Sequence, residues 1–339
     1  MSIRSIPFSP VAAPVSEEGD AWALPRRRLL QAAAFGALAA SAWPALADDA
    51  KQLRIGFQKG GGLLGLLKAQ GRLEKRFGPL GWTVSWHEFP AGPQLLEALN
   101  AGSVDVGYTG APPPIFAQAA EKDLVYIGAE PGGPSTESVV VLPASSLHGV
   151  AELKGKRVAV QKGSSSHYLL LAALRKAGVD FAEIQPVYLA PADARAAFES
   201  GRVDAWAIWD PYLAAVQATL KVRVLADYGQ LLRPNAFYEA SRRFVSQYPN
   251  ETGLLLDELA ALGAWATANP AQVAEQLAPL VGLPVEVVLV WQQRSRYGVQ
   301  PMDPVTVATQ QKVADLFFEH KLIPKKIDVA AAVWRWPKS

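Results

Sequence analysis

A chain of 339 residues has room for two domains of ordinary size, and its 50% hydrophobic, 19% charged composition is that of a globular protein rather than a disordered or fibrous one. The formal net charge of +2, with no stretch dense in Lys and Arg, argues against tracking a nucleic-acid backbone. Cysteine is absent, which excludes disulfides and thiolate chemistry. The four histidines, His87, His148, His167 and His320, fall at no metal-ligand spacing, so neither a metal nor a cofactor is expected.

Residues 1–47 read apart from the rest. A polar leader is followed by Pro25-Arg26-Arg27-Arg28-Leu29-Leu30-Gln31, an Ala-rich apolar stretch from Ala32 to Trp43, and Ala45-Leu46-Ala47, which offers the small residues a signal peptidase accepts. The apolar run is too short to span a membrane. Its paired arginines resemble a twin-arginine signal, although Pro25 and Leu29 depart from that pattern; an ordinary secretory signal is the other reading. Either takes the chain out of the cytoplasm. No cysteine follows to carry a lipid anchor, so the expected location is free in a periplasm. Removing the leader takes four of 33 basic and three of 31 acidic residues, leaving a nearly neutral 29 against 28.

The next segment introduces an internal echo. Leu53-Arg54-Ile55-Gly56-Phe57-Gln58-Lys59-Gly60 is matched by Lys156-Arg157-Val158-Ala159-Val160-Gln161-Lys162-Gly163. Each is a short apolar run ending in Gln-Lys-Gly and leading into a helical pattern, Leu63 to Phe77 in the first and Tyr168 to Lys176 in the second. A second echo follows in the same order. Glu97-Ala-Leu-Asn-Ala-Gly-Ser-Val-Asp105 corresponds to Ala196-Ala-Phe-Glu-Ser-Gly-Arg-Val-Asp204, and each Val-Asp opens an apolar run that ends at a proline-started helix, at Pro112 and at Pro211.

Strands alternating with helices predict α/β architecture, and the duplication predicts two lobes with a ligand cleft between them, beyond the carboxyl ends of the strands. We place one lobe at residues 48–142 and 227–339 and the other at 143–226. One crossing is expected near Val141–Ala144 and the return near Ala226. The tail is helical in pattern at Gly253–Ala268, Pro270–Val281 and Thr306–His320, and is expected to pack mostly on the first lobe.

The repeated turns supply the candidate site. Gly163-Ser164-Ser165-Ser166-His167 puts hydroxyls and free amides at a helix start, an arrangement that favours an anion, with plain helix capping as the other reading. Thr109-Gly110-Ala111-Pro112 is the matching turn of the first lobe. Pro90-Ala91-Gly92-Pro93 is a further junction that can expose amides, around Gly92. Trp206 and Trp209 share one strand, so one belongs in the core; Trp209, at the strand end, is the better candidate for covering a ligand's organic tail. Asp210 before Pro211 reads most simply as a helix cap. His167 falls in the first turn of its helix, in reach of a ligand or of water. Charged hydrogen bonds contribute roughly 1.5–3 kcal/mol each, whereas micromolar affinity needs about 8 kcal/mol, so donors from both lobes are required and binding coincides with closure. No Ser-His-Asp arrangement is evident, which argues against an enzyme.

These residues resemble the aliphatic-sulfonate-binding proteins of ABC transporters, relatives of the taurine- and nitrate-binding proteins. The likeness is carried by Glu88 to Asn100, Pro113 to Ala120, Gln161 to Tyr168, Pro191 to Phe198 and Val203 to Pro211. The resemblance implies a two-lobed periplasmic binding protein of type II. It also implies a monomer that captures an alkanesulfonate for sulfur metabolism and passes it to an ABC transporter permease, with taurine, nitrate, bicarbonate or an aromatic sulfonate as the alternative ligands. Carried over by position, it implies Gln58, Thr109, Gly110, Gly163, Ser164 and Ser165 around the sulfonate, and Trp206, Trp209 and Asp210 near the organic part. Ala111 stands where the family commonly has Asp. Sulfonate oxygens accept and never donate, so walls made only of donors are expected.

Overall fold

The computed structural model describes residues 51–59 and 62–335; the leader read at residues 1–47, together with Gly60 and Gly61, lies outside the described residues. Strand β1 (Lys51–Gln58) runs parallel to β2 (Trp82–Phe89), in register from Lys51 opposite Trp82 to Gln58 opposite Phe89, and parallel to β3 (Val106–Thr109). Beyond β3 comes an antiparallel strand that arrives from much later in the chain, Ala236–Ala240, which also pairs with β4 (Val125–Glu130).

The second sheet repeats the plan. It holds β5 (Glu137–Val141), β6 (Arg157–Val160), β7 (Gln185–Tyr188), β8 (Ala205–Trp209) and β9 (Arg223–Ala226), which makes Ala236–Ala240 strand β10. Strand β6 is parallel to β7 and β8, and β5 is antiparallel to β8 and β9. The orders β2-β1-β3-β10-β4 and β7-β6-β8-β5-β9 therefore superpose element on element. In each sheet the antiparallel strand is the first one reached after a crossing from the other sheet.

That pairing corrects one boundary. The sequence pattern places Glu137–Val141 in the first lobe, with the crossing near Val141–Ala144; its ladders with β8 and β9 put it in the second sheet. The crossing lies between Glu130 and Glu137, through Pro131-Gly132-Gly133-Pro134, where two prolines and two glycines interrupt strand pairing. The return lies between Ala226 and Ala236.

Helices cover both sheets. The helix read from Leu63 to Phe77 is two, α1 (Gly62–Gln70) and α2 (Arg72–Phe77), broken at Gly71, whose φ of 57° is left-handed. Helices α3 (Gly92–Asn100) and α4 (Pro112–Ala119) follow in the first lobe, and α5 (Ser165–Lys176), α6 (Pro191–Glu199) and α7 (Tyr212–Leu220) in the second. The tail forms α8 (Arg242–Gln247), α9 (Pro249–Ala268), α10 (Pro270–Val281), α11 (Val285–Arg294) and α12 (Pro304–Glu319). The apolar pattern of the tail did not reveal α11, and this helix packs on α7 of the second lobe, while α9 and α10 pack on α1 and α12 on α4. The tail thus packs on the first lobe through α9, α10 and α12 and reaches the second through α11. Among the described residues no helix is long and apolar enough to cross a membrane.

One ion-pair arrangement occurs in both sheets and accounts for the second echo. Asp105 accepts the Arg54 backbone N–H and Nε at 2.9 Å each and Nη2 at 2.6 Å, while Arg54 Nη1 donates to the carbonyl of Gly102. Asp204 accepts the Arg157 backbone N–H at 2.8 Å, Nε at 3.3 Å and Nη2 at 3.1 Å, and Nη2 also reaches the carbonyl of Gly201 at 3.2 Å. Each clamp ties the first strand of a parallel pair to the loop that starts the next, at the end of the sheet away from the ligand turns.

Candidate functional site

The carboxyl ends of β1, β3, β4 and β8, the start of β5 and the two crossing segments surround a cavity of about 120 Å³. Seven of the sequence-predicted residues line it: Gln58, Gly92, Gly110, Ser164, Ser165, Trp209 and Asp210. Gln58 ends β1, and its Nε2 donates to the carbonyl of Tyr108 at 3.0 Å, which fixes the amide at the first lobe's rim. Gly110 and Ser165 bring the two repeated turns together, for a Cβ on Gly110 would lie 2.7 Å from that of Ser165.

Helix α5 starts at this contact. The hydroxyl of Ser164 accepts the N–H of His167 at 3.3 Å, donates to the carbonyl of Gln161 at 2.7 Å and lies 3.0 Å from Ser166 Oγ, so it is consumed by the cap. The backbone amides of Ser165 and Ser166 have no acceptor among the described residues. They face outward from the positive end of a helix of 12 residues, beside the hydroxyl of Ser165. This is a ready anion acceptor on the cavity wall.

Four expected residues lie elsewhere. Thr109 is fully buried, its hydroxyl donating to Glu239 Oε1 on β10 at 2.6 Å. Gly163 gives its N–H to Nδ1 of His167 at 3.1 Å and packs toward Phe116. His167 is neither at a ligand nor in water; it sits behind the turn with ring centroids 5.3 Å from Phe181 and 5.4 Å from Phe317. Burial, followed by the nearby Lys162 charge, pushes it down to about 3, so the ring is neutral. Trp206 is 1% exposed and packs on Phe198 in the core under α6 and α7.

Walls made only of donors are not what the cavity has. Glu130, Glu137 and Asp210 all line it. Glu130 Oε1 accepts the hydroxyl of Tyr108 at 2.7 Å and Oε2 that of Tyr238 at 2.8 Å; burial still pushes its carboxyl up to about 7. Glu137 and Asp210 are also pushed up to about 7, chiefly by burial, with repulsion from Asp210 adding to the rise at Glu137. Arg233 and Arg296 complete the lining from the return crossing and from the segment after α11, and neither has a carboxylate partner among the described residues. No group of His, Asp and Glu among the described residues could hold a metal ion.

Sequence reasoning missed Tyr108, Glu130, Glu137, Tyr228, Arg233 and the Trp291–Tyr297 edge of the cavity. A signal existed for some of them. The Pro-Gly-Gly-Pro run after Glu130 and the Pro234-Asn235 pair mark breaks between apolar runs, and crossings between lobes place their neighbours at the cleft.

Two sheets of matched order, linked by two crossings and enclosing a small-molecule cavity, define the bilobal periplasmic-binding-protein class of fold. Residues 87–274 match the family described as NMT1/THI5 like. An Escherichia coli protein provisionally named an aliphatic sulfonates-binding protein is 46% identical over 315 residues, 91% of this chain and 97% of that protein. The crystal structure of the periplasmic aliphatic sulphonate binding protein SsuA from Escherichia coli aligns with a TM-score of 0.76 at 47% identity, covering 84% of this chain and 97% of that one. The alkanesulfonate-binding protein SsuA from Xanthomonas axonopodis pv. citri, bound to MOPS, aligns with a TM-score of 0.80 at 44% identity, over 85% and 99%. The chain belongs to the NMT1/THI5-like family, in the same branch as these relatives.

Proposed function

We propose that this protein captures aliphatic sulfonates in the periplasm and delivers them to an ABC transporter permease, acting as a monomeric carrier without catalytic activity. The observation that carries this reading is the start of α5. Two amides without acceptors and the Ser165 hydroxyl face a cavity that Gly110 closes from the other lobe. A tetrahedral oxyanion that only accepts hydrogen bonds suits that end of the cavity. Trp209 on the same wall, in edge contact with Tyr212 at 6.0 Å, supplies apolar surface for the organic tail. The near-full-length likeness to sulfonate-binding relatives supports the ligand class.

Lobe closure is the mechanical step. Neither wall alone offers the donors that micromolar affinity demands, which is about 8 kcal/mol before ordering costs. A ligand that bridges them stabilises the closed form by its differential affinity for it. The permease then reads a closed, loaded carrier.

Titration calorimetry against alkanesulfonates, taurine, nitrate, bicarbonate and an aromatic sulfonate tests the reading. Alkanesulfonates are expected to bind most tightly, and a Ser165→Ala variant to bind them about tenfold more weakly. Tighter binding of nitrate than of any sulfonate overturns the ligand class. Release of sulfite from an alkanesulfonate by the purified protein overturns the carrier role.

A further inference from the structure

A carboxyl group stands beside the anion-binding turn. Glu137 opens β5 opposite Trp209, and the hydroxyls of Ser165 and Tyr228 face its carboxyl. Tyr228 in turn donates to the Ser165 carbonyl at 3.2 Å, so Glu137 shares its surroundings with the start of α5. Its Oε2 is buried without a hydrogen-bond partner. An ionised carboxylate with a bare, enclosed oxygen is unfavourable, and a sulfonate bound at the same turn adds repulsion to that cost. The acid form has neither defect, because its O–H is a donor and a sulfonate oxygen accepts it.

No cation among the described residues forms an ion pair with Glu137. Asp210, after the end of β8, faces it as a second carboxyl, and the arginine of this region serves Asp210 instead. On α11, Arg294 Nη1 approaches Asp210 Oδ2 at 3.7 Å, while the same guanidinium donates to the Ser135 carbonyl and to Gln217 Oε1. Ser165 of α5 and Tyr228 of the return crossing bring only hydroxyls, and so does Tyr297 after α11. Glu130 of β4 is a third carboxyl on the cavity wall, but the Tyr108 and Tyr238 hydroxyls occupy both of its oxygens. Arg233 and Arg296 line the cavity as exposed side chains. Burial, opposed by the Ser165 hydroxyl and reinforced by repulsion from Asp210, pushes Glu137 up to about 7, so a proton comes and goes there near neutrality. The guest cannot bring that proton, since a sulfonate stays ionised at every pH the fold survives.

Resting on the sulfonate reading given above, we propose that Glu137 binds the sulfonate in its acid form, donating its O–H to a sulfonate oxygen, so that the protein takes up one proton from solvent with each guest. Asp210 stays with Arg294. The wall around the anion then consists of the Ser165 and Ser166 amides, the Ser165 hydroxyl and the Glu137 O–H, all of them donors, as a guest that only accepts requires. Below neutrality the free protein already holds the proton, and affinity is level. Above it the proton must be drawn from an increasingly alkaline solvent, and affinity falls.

The discriminating experiment is titration calorimetry of butane-1-sulfonate on the full-length protein across pH, in buffers that carry no sulfonate. The dissociation constant is expected to be level from pH 5.5 to pH 6.5 and to rise about tenfold per pH unit above pH 7.5. At pH 8 close to one proton is expected to be taken up per guest, seen as a heat that differs between Tris and bicine. Glu137→Gln supplies an N–H donor at every pH; it is expected to flatten the profile and to bind more tightly than the wild type at pH 8.5. Asp210→Asn, which lifts the repulsion on Glu137, is expected to move the break to lower pH and keep the slope. If Glu137→Gln fails to fold, the wild-type profile and the shift in Asp210→Asn still decide. A dissociation constant that stays level from pH 6 to pH 8.5 in the wild type, or a slope that Glu137→Gln retains, overturns the acid role of Glu137 while leaving sulfonate capture standing. Failure of butane-1-sulfonate to bind at any pH overturns sulfonate capture and this inference with it.

Discussion

Gly110 and Ser165, one from each lobe, meet so closely that a methyl group on the glycine would come within 2.7 Å of Ser165 Cβ and 3.1 Å of its hydroxyl. The contact joins the first lobe's turn to the second lobe's anion-binding turn, so it reports on closure directly. Gly110→Ala wedges the turns apart. Overpacking of this kind costs about 1–3 kcal/mol. It falls on the closed form, because the open lobes do not share the contact. The expected result is a five- to hundredfold loss of ligand affinity in calorimetry, with the ligand-free melting temperature little changed.

Glu239 gives a prediction for alkaline pH. Its carboxyl is enclosed on β10 with Thr109 donating to Oε1 and nothing bonded to Oε2, and burial raises it well above the ordinary carboxylate range. The fold therefore keeps a proton that the unfolded chain releases. Stability from this group is fully present below the unfolded value near 4.5 and is lost as pH rises. Glu239→Gln keeps the acceptor for Thr109 and removes the titration. Thermal melts at pH 5 and pH 8.5 are expected to show a smaller alkaline loss in the variant, by up to about 1.4 kcal/mol per pH unit.

His167 gives the opposite sign. Held at about 3 against an ordinary 6.5, it resists protonation in the fold and takes a proton readily once unfolded. Its share of stability is present above pH 6.5 and drains away as pH falls toward 3. His167→Asn retains an acceptor for the Gly163 N–H and cannot titrate. Its urea midpoint is expected to fall less steeply than the wild type's between pH 6 and pH 4.

The paired clamps differ in burial, which sets a fourth comparison. The Asp105 side chain is 6% exposed and that of Asp204 is 32% exposed, although their contacts correspond. Asp105→Ala strands Arg54 in a partly buried place and is expected to cost about 3 kcal/mol. Asp204→Ala leaves Arg157 to water and is expected to cost about 1 kcal/mol or less. Chemical denaturation of the two variants measures the difference directly.

The repeated plan was readable because it rests on local, short-range signals. Gln-Lys-Gly at Gln58 and Gln161 marks a strand end, and Val-Asp at Asp105 and Asp204 marks a strand start and its clamp. What stayed hidden depends on partners distant in sequence. Thr109 looks like a ligand contact until Glu239 on β10 claims its hydroxyl. His167 looks exposed until Phe181 and Phe317 close over it. Trp209 is told from Trp206 by its place at the strand end rather than by alternation, since four of the five residues of β8 are buried and only the last one reaches the cavity. The acidic pair needed the crossing at Pro131–Pro134 to be placed correctly, because an earlier crossing is what brings Glu137 opposite Trp209.

The twin clamps lie at the far ends of their sheets from the guest. Each half is thereby tied together by its own arginine and aspartate, which leaves relative motion to the two peptide straps and the tail helices that touch both halves. Both straps also line the cavity, at Pro131, Gly132, Gly133, Arg233 and Pro234, so hinge compliance and ligand contact share residues in this molecule. Changes in the Pro-Gly-Gly-Pro strap are therefore expected to alter both how readily the halves swing together and what they grasp.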